Sequence, residues 1–334
     1  TKVGVYAMIR VRTVVFTDGA LDGLLMWVAL FTMIVGIMGA LAQNDIKRLL
    51  SFTLVSHIGY MIFGIALGSK AGLSGAIFYA VHHILVQTSL FLVVGLIERQ
   101  AGAAQLRRLG SLIYTAPLIA ILYFIPAMNL GGIPPLSGFL GKVMLIEAGA
   151  AQGTWLAWVL IAGAVVTSLL TLYAMIIVWS KGFLRDRADA PEGDVAQARP
   201  TSLTESAETT AFKEREDVGR IPTGMFLSTA LLVAASTSIT FLAGPISDIT
   251  DRAAQSAQNQ AIYREAVLGA DGAEGPEHPT RKPEEFAPHR DGSGGYDDLH
   301  DYTTSGAKQG PDGAGESTQN VPAPAGDTTE GGER

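Results

Sequence analysis

The sequence of 334 residues contains no cysteine. This absence excludes disulfide bonds, thiolate metal sites and iron–sulfur clusters held by cysteine. Charge is also scarce, because Asp, Glu, Lys and Arg make up 16% of the residues, whereas about 25% is usual in a soluble domain. Hydrophobic residues make up 48%, and the mean hydropathy is +0.30. These values indicate a membrane protein.

The few charges are unevenly distributed along the chain. From Ile246 onward there are 7 Lys and Arg against 17 Asp and Glu, so the totals of 24 basic and 31 acidic residues leave 17 and 14 upstream. The pI of about 5.4 therefore reflects the C-terminal segment. Residues 247–334 are acidic and rich in Gly and Pro. We predict a disordered tail there, because such a segment buries too little apolar surface to offset the entropy of ordering.

Long hydrophobic runs dominate residues 1–246 and predict an all-α, polytopic transmembrane helix bundle, since a spanning helix needs about 20 mostly apolar residues. The predicted spans are 23–42, 49–67, 73–97, 112–148, 155–179 and 221–243. Polar residues 181–220 are predicted to form a cytoplasmic loop. The chain begins at Thr1 with an apolar run that ends at Arg10, so we expect a fragment whose upstream helices are missing.

Basic residues in the loops predict the orientation. One side carries Lys47, Arg48, Arg99, Arg107, Arg108, Lys181, Arg185, Arg187, Arg199, Lys213, Arg215 and Arg220, and the other carries Arg10, Arg12 and Lys70 before the tail. Because Lys and Arg concentrate on the cytoplasmic side, we expect the first set inside and the tail outside, provided that span 112–148 crosses once. The predicted location is a bacterial cell membrane.

Lys142 follows an interruption of a hydrophobic span by Gly131, Gly132, Pro134 and Pro135. Proline removes backbone donors and breaks a helix, and irregular backbone at membrane depth is tolerated only where protein or water surrounds it. A charged residue at this depth usually faces a cavity or partner and marks an ion path. The pattern favours a proton site at Lys142 over a lysine that extends to the membrane surface.

Two neighbouring spans each carry a polar stripe with a histidine. Tyr79, His83 and Gln87 are spaced by four residues, with His82 beside them, and Thr53 and His57 are also four apart. Such spacing places side chains on one helix face. Histidine both accepts and donates protons near neutral pH, which suits a relay. The alternative is a set of structural histidines that hydrogen-bond between helices.

Two further lysines are candidates for the same path. Lys47 lies at a predicted cytoplasmic boundary, where it either anchors the helix or guards the entrance to a relay. Lys2 precedes Arg10 by eight residues, roughly 12 Å along a helix at about 1.5 Å per residue. If Arg10 marks the membrane edge, Lys2 lies well inside the bilayer.

Four segments carry a family resemblance: residues 1–10, 43–60, His82 with His83, and 132–142. They resemble the antiporter-like membrane subunits, a family that includes the D subunit of Mrp-type Na⁺/H⁺ antiporters and the proton-pumping subunits of respiratory complex I. The Ile-Pro-Pro-Leu-Ser-Gly-Phe-Leu-Gly-Lys form at 133–142 is most similar to the Mrp D subunit. The resemblance covers about residues 1–243.

The resemblance implies the second of two inverted five-helix repeats, a C-terminal helix, and an axis of lysines and histidines. Lys2 resembles the buried lysine that ends the first repeat, and Lys142 the lysine of the second broken helix. His57 and His83 resemble the linking histidines. The family's glutamate and first-repeat lysine would lie upstream, and the acidic tail departs from the family pattern.

We therefore predict a proton-translocating subunit of a multisubunit Na⁺/H⁺ antiporter, which is a secondary transporter rather than an enzyme. Its expected partners are other antiporter subunits, protons, a monovalent cation and the lipid bilayer, without nucleic acid, metal or cofactor. One alternative is a proton-pumping subunit of complex I or of a membrane-bound hydrogenase. Another is a structural subunit whose buried polar residues only hold helices together.

Overall fold

The computed structural model describes residues 1–17, 19–191, 219 and 221–259. Within them the chain is helical, and the β-type pairing there is one isolated bridge between Asp45 and Gln105. The helices are α1 (Lys2–Val14), α2 (Asp22–Leu41), α3 (Ile46–Ala66), α4 (Lys70–Ala101), α5 (Leu112–Thr115), α6 (Pro117–Gly131), α7 (Ser137–Gln152), α8 (Trp155–Val178), α9 (Thr223–Phe241) and α10 (Ala243–Gln258). A π-helical turn, Trp179–Leu184, extends α8.

Polar residues at the loops determine where the long helices begin and end. Asp45 caps α3 by accepting a hydrogen bond from the Arg48 amide at 3.1 Å, and Ser69 caps α4 by accepting from the Gly72 amide at 3.0 Å. Gly102, with φ of 76°, ends α4, as is common for glycine after a helix. Among the described helices, five are long and apolar enough to cross a membrane, which confirms the all-α transmembrane class.

The helix α4 is central to the bundle, because α3, α6, α7, α9 and α10 all pack against it. Two hydrophobic clusters flank it. One joins the C-terminal half of α4 to α6 and the end of α8 around Val93 and Tyr123. The other joins α2, α3, α7 and the start of α8 around Met33 and Phe63. The polar residues of the candidate site lie on the helices that these clusters hold together.

The predicted helix break lies between α6 and α7. Helix α6 ends at Gly131, Gly132 has φ of 82°, and α7 begins at Ser137. The peptide bond between Pro134 and Pro135 is cis. The predicted span 112–148 is therefore three helices, since α5 and α6 are also separated at Ala116.

Contacts between loops assign the helix termini to two ends of the bundle. At the first end, the Leu106 amide donates to the Asn44 carbonyl and the Ser111 amide to the Arg185 carbonyl, both at 2.8 Å. At the second end, Arg12 pairs with Asp22. Also at the second end, Gln258 donates to the Gly68 carbonyl at 3.0 Å, and the Trp155 ring lies 6.2 Å from that of Trp27. Residues 111–155 thus connect the two ends once.

Two predicted boundaries need correction. Residues 247–258, assigned to a disordered tail, belong to the helix α10, whose Thr250 hydroxyl lies 3.0 Å from that of Ser74 and whose Ala254 is buried. This amphipathic helix is stabilised by packing on α4, which sequence composition does not reveal. The predicted loop from 181 begins inside the π-helical turn. The remaining tail, 260–334, and loop residues 192–218 and 220 lie outside the described residues.

A buried lysine and histidine cluster as the candidate functional site

Lys142 occupies a cage of oxygen atoms at the helix break. Its Nζ donates to the carbonyls of Leu130 at 3.1 Å and Gly131 at 3.0 Å, and to the Ser168 hydroxyl of α8 at 2.9 Å. The carbonyls are available because α6 stops at Gly131, and the C-terminal end of a helix dipole favours a cation. Lys142 is 5% exposed. The break thus supplies the hydrogen bonds that a buried ammonium group needs.

Aromatic and hydroxyl groups complete the surroundings of Lys142. The Nζ atom lies 5.5 Å from the centre of the Tyr60 ring, within the range of a cation–π contact. The Tyr60 hydroxyl hydrogen-bonds with the Thr167 hydroxyl at 2.8 Å and with the Ala164 carbonyl. Tyr60 therefore links α3 to α8 directly beside the lysine.

Lys2 and His83 are in direct contact although 81 residues separate them. Lys2 Nζ lies 3.0 Å from His83 Nδ1, which places the first helix of the chain against α4. His83 is fully buried near the middle of α4, and the intramembrane position of Lys2 stays a prediction. A lysine amine and an imidazole at hydrogen-bond distance can exchange a proton.

His57 joins the same group from the neighbouring helix α3. Its Nδ1 lies 2.6 Å from the Tyr79 hydroxyl, and its ring centre lies 4.9 Å from that of His83. Tyr79 and Tyr60 rings are 5.4 Å apart. The predicted stripe residues Tyr79, His83 and His57 therefore form one buried cluster with Lys2, and the two tyrosine rings extend it to Lys142.

His82 faces a different partner from His83. Its Nδ1 lies 2.9 Å from the Ser137 hydroxyl at the start of α7. Ser137 also donates to Asn129 Oδ1 at 3.3 Å, and the same oxygen accepts from the Gly138 amide at 2.9 Å. Asn129 of α6 thus hydrogen-bonds across the helix break to the start of α7, and His82 of α4 contacts the same segment through Ser137.

The remaining predicted residues lie outside this cluster. The Gln87 amide and the Thr53 hydroxyl both donate to the Leu50 carbonyl, at 2.7 Å and 2.9 Å. Lys47 pairs with Glu98 at 2.6 Å and is 47% exposed at the first end of the bundle. Gln87 therefore links α4 to α3 through the backbone, and Lys47 is a surface residue.

Sequence patterns did not single out three participants: Asn129, Ser137 and Ser168. Each is a polar residue in an apolar helix, a feature that at membrane depth marks buried or functional positions. Their roles depend on partners from distant helices, however, and spacing along one helix does not identify those partners.

The chemistry that this cluster can perform is proton exchange. In the described residues, no group of three or more His, Asp or Glu side chains is placed to hold a metal ion. The Nε2 atoms of His57, His82 and His83 are buried and have no hydrogen-bond partner among the described groups. Each imidazole therefore retains one ring nitrogen that is available for a proton or a water molecule.

A bundle of apolar helices with ionisable groups at its centre defines a polytopic membrane protein with a buried ionisable site. The family model described as NADH:quinone oxidoreductase/Mrp antiporter, transmembrane, matches residues 1–171. The chain belongs to this family, and it is a multi-pass protein of a bacterial membrane.

Two bacterial relatives share one name, the D subunit of a Na(+)/H(+) antiporter. The protein from Alkalihalophilus pseudofirmus is 34% identical over 270 residues, which cover 80% of this chain and 49% of that protein. The protein from Bacillus subtilis is 32% identical over 270 residues, with the same coverage of 80% and 49%. The chain therefore spans about half the length of the relatives it matches.

Solved structures agree with this assignment. A chain of the Mrp complex from Dietzia sp. DQ12-45-1b matches with a TM-score of 0.68 and 32% identity, covering 80% of this chain and 53% of that chain. A chain of the membrane-bound sulfane sulfur reductase, an archaeal respiratory membrane complex, matches with a TM-score of 0.56, 22% identity and coverage of 78% and 48%. The second likeness concerns the fold alone.

Proposed function

We propose that this chain translocates protons as part of a multisubunit antiporter that exchanges Na⁺ for H⁺, with other membrane subunits as partners. The observation that carries the proposal is the contact of Lys2 with His83 at 3.0 Å. It places a lysine and an imidazole at proton-exchange distance inside an apolar bundle, where charged groups are costly and usually functional.

The proposed path continues from that pair toward Lys142. A proton on His83 passes to the neighbouring His57, whose Nδ1 contacts the Tyr79 hydroxyl at 2.6 Å. From His57 the proposed path runs beside the Tyr79 and Tyr60 rings, which are 5.4 Å apart, and water rather than the rings carries the proton to the cage of Lys142. Because water can occupy polar sites with several buried partners, we expect it to connect the free Nε2 atoms of the two imidazoles.

Electrostatic repulsion supplies the direction of movement in this proposal. Burial disfavours the charged form of a lysine, and a charge on Lys2 or His83 further disfavours a charge on its neighbour. Protonation at one end therefore promotes release at the other. Lys47 and its partner Glu98, at the exposed first end of the bundle, are the proposed entrance or exit on that side.

The two relatives named as D subunits of Na(+)/H(+) antiporters support the antiporter over an electron-transfer complex. In an antiporter, the downhill movement of protons would drive Na⁺ export through partner subunits. In a complex I arm, quinone reduction elsewhere would drive the same proton path.

The test uses the full-length protein with its operon partners in everted membrane vesicles. Lys142→Ala should abolish the Na⁺-induced dequenching of a pH-sensitive dye while assembly stays normal. Lys70→Ala is the matched control, because Lys70 is an exposed lysine at the second end of the bundle whose Nζ donates to Gln255 at 3.3 Å. Full activity of Lys142→Ala would contradict the proposal. Proton pumping that requires NADH and does not depend on Na⁺ would favour the complex I alternative.

A further inference from the structure

A basic cavity lies at the first end of the bundle, apart from the lysine and histidine cluster. It has a volume of about 260 Å³ and is lined by Asn44, Leu106, Arg107, Lys181, Arg185 and Pro191. Four of these six side chains carry hydrogen-bond donors, and three are cationic. The described lining contains no Asp or Glu. The charge balance of the cavity therefore favours an anionic ligand.

The donors come from separate segments that backbone hydrogen bonds hold together. The loop of Asn44 and the loop of Leu106 are joined by the Leu106 amide, which donates to the Asn44 carbonyl at 2.8 Å. The Ser111 amide donates to the Arg185 carbonyl at 2.8 Å. These bonds fix the positions of the loops, so a ligand would not have to order the site on binding.

Two backbone carbonyls hold the Arg185 side chain in place. Its Nη2 donates to the carbonyls of Leu109 at 2.8 Å and of Leu106. Guanidinium groups provide several donors in a fixed plane that matches the geometry of phosphate. Arg185 thus contributes a positioned guanidinium group to a lining that also contains Arg107 and Lys181. This set of cations favours phosphate among anionic ligands.

Asp45 and Asp186 each adjoin a lining residue in sequence, and both accept hydrogen bonds from other groups. Asp45 accepts from the Arg48 amide at 3.1 Å, and Asp186 accepts from the Ser111 hydroxyl at 3.3 Å. Asp186 also accepts from the Ala188 amide at 3.3 Å. Both carboxylates thus already accept hydrogen bonds from groups outside the cavity lining.

The position of the cavity favours a lipid as the source of the phosphate. Lys181 lies in the π-helical turn that extends α8, and Arg185 directly follows that turn. The Trp179 and Phe183 rings of the same turn are 4.9 Å apart. Leu184, between the two cations in sequence, is 51% exposed. Tryptophan is enriched at the membrane–water boundary, and basic pockets at the cytoplasmic ends of membrane helices bind acidic headgroups. An acyl chain could follow the apolar surface while the headgroup enters the cavity.

We propose that this cavity binds the phosphate of an anionic phospholipid, with Arg107, Lys181 and Arg185 as its cationic contacts. The site is independent of the proton path and of the proposed transport function. It would anchor the end of α8, whose other residues hold Lys142 and Tyr60.

The experiment is a lipid titration of the full-length protein in its assembled complex, followed by native mass spectrometry. Phosphatidylglycerol, phosphatidylcholine and inorganic phosphate are the three probes. Lys181→Gln is the test variant because this exposed lysine can be changed without leaving a buried void. Arg48→Gln removes one charge from an exposed residue at the same end and is the matched control.

We expect phosphatidylglycerol to bind more tightly than phosphatidylcholine. Lys181→Gln should weaken phosphatidylglycerol binding by about tenfold, the effect expected from the loss of a charge-assisted hydrogen bond. Arg107→Gln should have a similar effect, and Arg48→Gln should change the affinity by less than about twofold, as expected for an exposed charge. Equal weakening by Lys181→Gln and Arg48→Gln would overturn the proposal, as would equal binding of phosphatidylcholine. Inorganic phosphate that binds as tightly as phosphatidylglycerol would identify a free anion as the ligand and overturn the lipid assignment.

Discussion

Lys2 Nζ lies 3.0 Å from His83 Nδ1, and this contact joins the first helix of the chain to the central helix α4. Its chemical consequence can be tested by Lys2→Arg, which keeps the positive charge but cannot release a proton at physiological pH. If Lys2 exchanges protons, Na⁺-driven dequenching should fall at least about tenfold, in the range lost when an acid–base group is removed.

The control for this variant is Lys70→Arg, which makes the same change at an exposed lysine. It should retain the wild-type rate. If Lys2→Arg also retains that rate, Lys2 acts only as a fixed charge, and a purely structural role for the buried polar residues gains support.

A second prediction concerns the hydroxyl of Tyr79, which lies 2.6 Å from His57 Nδ1. Tyr79→Phe leaves a buried imidazole nitrogen without that partner, at a cost to stability of about 1–3 kcal/mol. Because His57 is central to the proposed path, transport should also fall by about tenfold or more. Thermal unfolding in detergent and vesicle transport measure the two effects separately.

Tyr123→Phe is the matched variant for Tyr79→Phe. Tyr123 is fully buried in a hydrophobic cluster, and its hydroxyl donates to the Met175 carbonyl at 3.3 Å. The Tyr123→Phe variant should lower thermal stability about as much as Tyr79→Phe does, without slowing transport. Equal losses of transport in both variants would attribute the effect to folding rather than to the histidine cluster.

The sequence predicted those features that depend on local patterns. Apolar runs marked the spans, and glycine and proline marked the break that exposes the Leu130 and Gly131 carbonyls to Lys142. The four-residue spacing of Tyr79 and His83 correctly placed them on one face of α4. Their roles in proton transfer stay predictions.

Features that depend on packing were not accessible from the sequence. His82 and His83 are adjacent, yet one contacts Ser137 of α7 and the other Lys2 of α1, because successive side chains point about 100° apart on a helix. Gln87 continues the stripe but reaches the Leu50 carbonyl instead of the cluster. The neighbouring helices determine which group each of these side chains contacts, and hydropathy does not predict how those helices pack.

A third prediction concerns Gly132, which has φ of 82° and lies against Lys142. A Cβ atom there would be 2.9 Å from Lys142 Nζ. Gly132→Ala should therefore strain the backbone, by about 1–2 kcal/mol for a left-handed residue with a side chain, and displace the ammonium from its carbonyl cage. Both thermal stability and transport should decrease.

Gly153→Ala separates these two effects. Gly153 has φ of 69°, and a Cβ atom there would meet nothing within 4 Å. The Gly153→Ala variant should lose a similar amount of stability, because the backbone strain is similar, and should retain transport in assembled complexes. If Gly132→Ala transports as well as Gly153→Ala, the position of Lys142 in its cage is not required for activity.

The last prediction concerns the contact between Lys142 and Ser168. Lys142 Nζ donates to the Ser168 hydroxyl at 2.9 Å, and that hydroxyl donates to the Gly131 carbonyl at 3.1 Å. Ser168→Ala removes this side-chain oxygen from the cage, and a hydrogen bond to a charged group contributes about 1.5–3 kcal/mol. We expect the charged form of Lys142 to be disfavoured and transport to slow by about tenfold.

Two variants decide whether that slowing arises at the cage. Ser168→Thr keeps the hydroxyl and should restore most of the rate in the same vesicle assay. Thr171→Ala removes a buried hydroxyl one turn further along α8, where it donates to the Thr167 carbonyl at 2.8 Å, and should leave the rate unchanged. Of these two hydroxyls, the one on Ser168 contacts the ammonium group. If Thr171→Ala slows transport as much as Ser168→Ala does, the loss therefore arises from the packing of α8 and not from the cage.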